Sequence, residues 1–160
     1  MCQPKTLPQL FVVALATAAA ARLPNPLFCR FVPVPSAELD YLRLSYRPDL
    51  RILFLRWTRL VSSAEHRAGY EAALAFALFH QARHWLIDLR IRGLAEAEDF
   101  SWVLTDFRRE MQLALPDAPF RVAYLVTPYH KEVIDSRLAV HEAVFRTFIE
   151  EQAAYQWLGS

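Results

Sequence analysis

At 160 residues, with 54% hydrophobic and 13% aromatic side chains, the chain amounts to one domain that can bury a core, so a compact folded body is expected rather than a disordered chain. Its 18 basic and 17 acidic residues leave a formal charge of +1, so the strong electrostatic pull of a nucleic-acid binder is not expected. Cys2 and Cys29 are the only thiols and form no CxxC pair, which excludes a disulfide framework and a cysteine-based metal site.

Residues 1–37 read differently from the rest. Leu10–Ala21 is an apolar run too short to span a bilayer, followed by a stretch broken by prolines. It fits the apolar region of a secretory signal, with Ala18-Ala19-Ala20 offering a small-residue cleavage site, yet Lys5 is the only charged side chain before it. The preferred reading is an extension outside the fold, with a domain over 38–158 and a cytoplasmic location. Export is the alternative if residues 1–21 act as a signal.

Leu39–Tyr46 alternates, with Leu42, Leu44 and Tyr46 opposing Tyr41, Arg43 and Ser45, which predicts a half-exposed strand. Arg47-Pro48-Asp49 predicts a turn, and Leu50–Trp57 a second strand closing a hairpin. Ser62-Ser63-Ala64-Glu65 has the form of a capping box. The helix that it opens is expected to run to about Gln81, with Tyr70, Leu74, Ala77 and Leu78 inward and Gly69 allowing close packing.

His84–Leu89 is a short, nearly continuous apolar run between two helical patterns, as a buried parallel strand would be. Arg90–Ala95 is then loop, with Gly93 suited to a positive φ. Glu96, Glu98 and Asp99 place negative charge at the start of a helix whose inward stripe is Phe100, Val103, Leu104, Phe107 and Met111. Pro116 ends that helix, and Phe120–Val126 is the next strand. From His130 onward the preferred order is helix, strand over 143–148, then a helix with Ala153, Ala154, Trp157 and Leu158 inward.

The resulting order, β-β-α-β-α-β-α-β-α, predicts an α/β fold with a mainly parallel sheet. In this order the body resembles the SpoIIAA-like, or STAS (sulphate transporter and anti-sigma antagonist), superfamily, in a poorly characterised bacterial branch. The carriers are Leu55-Arg56-Trp57, Arg67-Ala68-Gly69-Tyr70, Trp85-Leu86-Ile87-Asp88-Leu89-Arg90, Trp102, and Phe148 with Ala154-Tyr155-Gln156-Trp157-Leu158. The resemblance implies a sheet of four or five strands with helices mostly on one face. It also implies a non-enzymatic role in regulation, protein contact or small-ligand binding. The phosphorylated Ser or Thr of the anti-sigma antagonists has no counterpart in Arg90–Glu96, and Ser101 comes too late, inside the helix. The kinase-driven switch is therefore not carried over.

Asp88 is the most informative side chain, because a carboxylate in an apolar strand must be hydrogen-bonded or reach the strand's end. It would either orient a ligand or act as a base, or pair with Arg90 or Arg92. Arg90 and Arg92 with Gly93 suggest an anion site, and an exposed Trp102 would mark a contact surface, so the candidate ligand- or partner-binding set is Asp88, Arg90, Arg92, Gly93 and Trp102. Sixteen of the 18 basic residues are Arg, but they are scattered, which reads as compositional bias. His80, His84 and Asp88 sketch a zinc set at four-residue spacing, but the glutamate of an HExxH site is missing, and no metal or cofactor is expected. With three glycines, no P-loop, dinucleotide fingerprint or nucleophile elbow can be built. The expected partner is a protein or small ligand, with no nucleic acid and no membrane span. The alternative is a small hydrolase-like enzyme that uses Asp88 with His84 or Arg90.

Overall fold

The computed structural model describes residues 36–116, 119–138 and 143–160. The signal-like run and both cysteines lie outside the described residues. In chain order the elements are β1 (Ser36–Leu39), β2 (Leu42–Arg47), β3 (Ile52–Trp57), α1 (Ser63–His80) and β4 (His84–Asp88). There follow α2 (Ala97–Trp102), one π-helical stretch (Val103–Phe107), α3 (Arg108–Ala114), β5 (Arg121–Leu125), α4 (Pro128–Leu138), β6 (Phe145–Phe148) and α5 (Glu151–Leu158). The strands form one six-stranded sheet in sequence order. β1–β2 and β2–β3 pair antiparallel, while β3–β4, β4–β5 and β5–β6 pair parallel.

The expected α/β class and the alternation of elements hold, including the strand inside the ambiguous last thirty residues. The strand number is corrected from four or five to six. The predicted strand Leu39–Tyr46 is two strands, because the chain reverses at Asp40–Tyr41 and Ser36–Leu39 pairs back on β2. Three of the four β1 residues are exposed, so β1 has no apolar alternation from which to be read. The predicted phases of β2 and β3 hold: Leu42, Leu44, Leu53, Leu55 and Trp57 all enter one core cluster.

The Ser62 capping box is formed, with the Ser62 hydroxyl accepting from the Glu65 amide and the Glu65 carboxylate accepting from the Ser62 amide. Five residues of α1 are buried: His66, Gly69, Tyr70, Ala73 and Ala77. This shifts the predicted stripe, leaving Leu74 and Leu78 only half-buried at its flank. The reason is close approach: a Cβ on Gly69 would lie 2.4 Å from Trp57 Cη2 and 2.9 Å from Cζ3, so the helix turns its smallest residues to the sheet. A similar shift appears in α5, where Ala154 and Leu158 are buried, Trp157 is half-buried and Ala153 is exposed. Proline opens α4, where its missing N–H costs no helical bond.

Helices cover both faces of the sheet, unequally. α1, the α2–α3 run and α4 pack over the larger core, which contains Trp57, Trp85, Phe107, Tyr124 and Ile134. α5 alone covers the smaller one, against Ile52, Phe54, Leu86, Ala123 and Leu125. No helix among the described residues is long and apolar enough to cross a membrane.

Candidate functional site

The five candidate residues are divided by the sheet. β4 lies between β3 and β5, and Asp88 is its last residue, 8% exposed, so the expectation of a carboxylate at the end of a central strand holds. Strand parity puts Asp88 on the α5 face with Leu86 and, across the pairing, beside Arg56. Arg90 closes on it with a two-pronged bond: Nε donates to Oδ1 at 2.9 Å and Nη2 to Oδ2 at 2.7 Å. The Arg90 amide adds a third bond to Oδ1 at 3.1 Å, and Arg56 Nη1 lies 3.7 Å from Oδ2. Arg56 also donates to Glu151 at 2.7 Å, in the first turn of α5, and Glu151 accepts from the Tyr155 hydroxyl. Burial and the Glu151 carboxylate together push the Tyr155 pKa up to about 12. The result is a chain of paired charges tying β3, β4, the following loop and α5.

Of the partners expected for Asp88, Arg90 is present and Arg92 is not. Arg92 points under the sheet's opposite face and is 5% exposed. The loop achieves this within five residues: the Gly93 amide donates to the Leu89 carbonyl at 3.0 Å, and Gly93 takes φ +77°, a conformation that glycine adopts without strain. The guanidinium of Arg92 lies 5.3 Å over the Trp57 ring, with Nη2 2.6 Å from His66 Nδ1. Because guanidinium has no acceptor, Arg92 donates and His66 Nδ1 accepts, which leaves the imidazole proton on Nε2. Burial first, and the Arg92 charge second, hold the His66 pKa down to about 4.

Trp102 sits beside this cluster, half-buried, with Arg67 5.4 Å over its ring and His66 at 6.2 Å. It forms a wall of the larger core. The Trp85 N–H donates to the Ala82 carbonyl at 3.0 Å, whereas the Trp57 N–H is buried with no hydrogen-bond partner among the described residues. Nearby Asp99 is buried but paired, accepting from the Ser63 hydroxyl at 2.6 Å and lying 3.6 Å from Arg67.

His84 opens β4 and Asp88 closes it, four residues apart at roughly 3.3 Å each, so about 13 Å separates them. The His84–Asp88 pair weighed for hydrolysis is therefore not assembled. His80 and His84 do not share a helix face either: His80 ends α1, where its ring stacks on Tyr46 at 4.9 Å, and His84 is already in the strand. Among the described residues no three His, Cys, Asp or Glu side chains gather as a metal set.

No family model and no curated protein matches the chain.

His66 and Tyr124 of the Arg92 cluster went unmarked in the sequence, and Tyr70 was marked only as an inward helix residue and a carrier of the resemblance. Their signal is present but faint, because each is a polar-tipped ring on an otherwise apolar inward line of α1 or β5. Outside this cluster, the exposed residues of the loop are Arg90 and Glu96, which are charged, and Ile91 and Leu94, which are apolar. Ile91 is 65% exposed, and Leu60, 73% exposed, lies close to the loop, its Cδ2 3.8 Å from where a Cβ on Gly93 would stand.

Proposed function

We propose that the chain is a non-enzymatic binding domain of the STAS type, which meets a protein partner or a small ligand at the loop after β4. The observation that supports this reading is the state of Asp88. Its two oxygens already accept three bonds from Arg90 and face Arg56, so it is engaged in holding the loop in place. A catalytic carboxylate needs a reactive atom within hydrogen-bond reach and a partner that orients or activates it. His84, the partner weighed for that role, is a strand's length away.

Beside this charge-paired anchor the loop exposes the apolar Ile91, and Leu60, after β3, is exposed near Gly93. Small apolar groups rimmed by paired charges suit a modest protein contact. The absence of a hydroxyl from Arg90 to Glu96 keeps phosphorylation at the usual STAS position out of the proposal, and Ser101 lies on the outer face of α2.

The test pairs two variants. Affinity capture with the wild type and with Ile91→Asp, read by mass spectrometry, supports the proposal if a partner is lost at unchanged thermal stability. A panel of ester, amide and phosphate-ester substrates, run on wild type and Asp88→Asn, overturns it if turnover is found that disappears in the variant.

A further inference from the structure

β3 and β4 are parallel neighbours in the sheet, so the loops that leave their carboxyl ends emerge side by side. Both loops expose apolar side chains: Leu60 after β3 at 73%, and Ile91 and Leu94 after β4 at 65% and 38%. Leu60 Cδ2 comes within 3.8 Å of where a Cβ on Gly93 would stand, so the two loops meet at that turn.

The chain leads from these loops into α1 and α2, whose first turns are tied by the Ser63 hydroxyl donating to Asp99 at 2.6 Å. An open groove of about 590 Å³, ample for a long side chain, lies there, and its ionisable lining is Arg67, Glu96, Glu98 and Asp99. Arg67 stands 3.5 Å from Glu98 and 3.6 Å from Asp99, which leaves Glu96 without a cation in the groove. Next to Leu60 in the chain, Arg59 is already shared by Asp40 and Glu65. The surroundings of the apolar set are thus acidic, although the chain as a whole carries +1. The amino ends of α1 and α2 return about half a positive charge each, less than the carboxylates bring.

That sign decides the class of partner. Nucleic acid and anionic membranes are repelled by it. An added β-strand finds no edge here, because β3 and β4 each have a neighbour on both sides. A helix bonds its own backbone and asks the surface only for apolar seats and opposite charge. We propose that this rim docks a basic amphipathic helix of a partner protein, with its apolar stripe on Leu60, Ile91 and Leu94 and an Arg or Lys in the groove beside Glu96. This names the chemistry of the partner proposed above and rests on that reading of the loop.

Fluorescence anisotropy of the full chain with two labelled synthetic helices of about 18 residues tests it, one built of Leu and Lys and one of Leu and Glu on the same apolar stripe. Saturable binding of the Lys peptide is expected, with the Glu peptide about tenfold weaker or worse. Ile91→Asp is the deciding variant. Attraction by charge alone would grow with the added carboxylate, whereas a seated helix loses an apolar seat, so the Lys peptide is expected to bind several-fold more weakly. Leu60→Asp is expected to act alike and serves if Ile91→Asp does not fold, which melting temperatures check. Glu96→Lys is expected to narrow the preference for Lys, and Glu71→Lys, exposed further along α1, to leave it unchanged. Equal binding of both peptides, tighter binding by Ile91→Asp, or sedimentation showing that the free chain pairs with itself through Ile91 overturns the proposal. The wider contact reading falls on a different result, turnover that disappears in Asp88→Asn.

Discussion

The two faces of the sheet meet ionisable groups in opposite ways. Under α5, Asp88, Arg90, Arg56 and Glu151 are matched charge for charge, and both arginine side chains remain about two-fifths exposed. Under α1 and α2, Arg92 is almost fully buried, rests on Trp57, and leans on a neutral histidine. A single residue, Ile91, separates Arg90 from Arg92, and the turn at Gly93 sends them to opposite faces. The lesson is that pairing and exposure make the first set a fastening, whereas the second charge is held by burial, a ring face and a neutral histidine.

The comparison breaks most visibly at Trp57. Trp57→Ala removes the ring beneath Arg92 and opens a void beside Gly69, and is expected to cost about 3–5 kcal/mol of folding stability in urea denaturation. A loss below about 1 kcal/mol would show that the arginine and histidine need no such support.

The next effect is one of pH. The His66 pKa falls from 6.5 to about 4 in the fold, so its contribution is complete above pH 6.5, where the unfolded histidine is neutral too. As pH drops toward 4 the unfolded chain takes up a proton that the folded chain refuses, and stability falls by about 3 kcal/mol. Denaturation of wild type and His66→Asn at pH 7.5, 5.5 and 4.5 checks this, because the wild type should show the steeper decline. Equal slopes would remove His66 as its source.

Gly69→Ala sharpens the comparison through its sign. Helix propensity alone favours alanine by about 1 kcal/mol. The 2.4 Å approach of the added Cβ to Trp57 opposes it, and a net destabilisation of about 2 kcal/mol is expected. A stabilised variant would mean that Trp57 moves aside freely.

The smallest effect belongs to the α5 face. Asp88→Asn leaves Arg90 and Arg56 partly in water, so its cost is expected at about 1 kcal/mol or less despite the short distances. A cost above that of Gly69→Ala would make the paired network the more critical of the two.

Much of the architecture was legible. Alternation in Leu42–Tyr46 and Ile52–Trp57, the Ser62 capping box, the apolar run ending at Asp88 and the positive φ of Gly93 all rest on local periods or local backbone needs, which a sequence displays directly. β1 escaped because its pairing uses the backbone and buries almost nothing. The inward line of α1 was displaced because a hydrophobic pattern favours Leu74 and Leu78, while the sheet selects Gly69, Ala73 and Ala77 for their size.

The candidate site was legible only in half. Asp88 with Arg90 is a contact over two residues, and chain proximity alone suggests it. Arg92 with His66 spans 26 residues, and with Tyr124 joins three elements whose meeting depends on the crossings between them. Sequence fixes which groups carry charge, which stretches are apolar, and where the chain must turn, because these are properties of neighbours. Which arginine is matched and which is buried alone was decided only by tertiary structure, since that depends on which face of the sheet each side chain enters and on what the helices there bring to meet it.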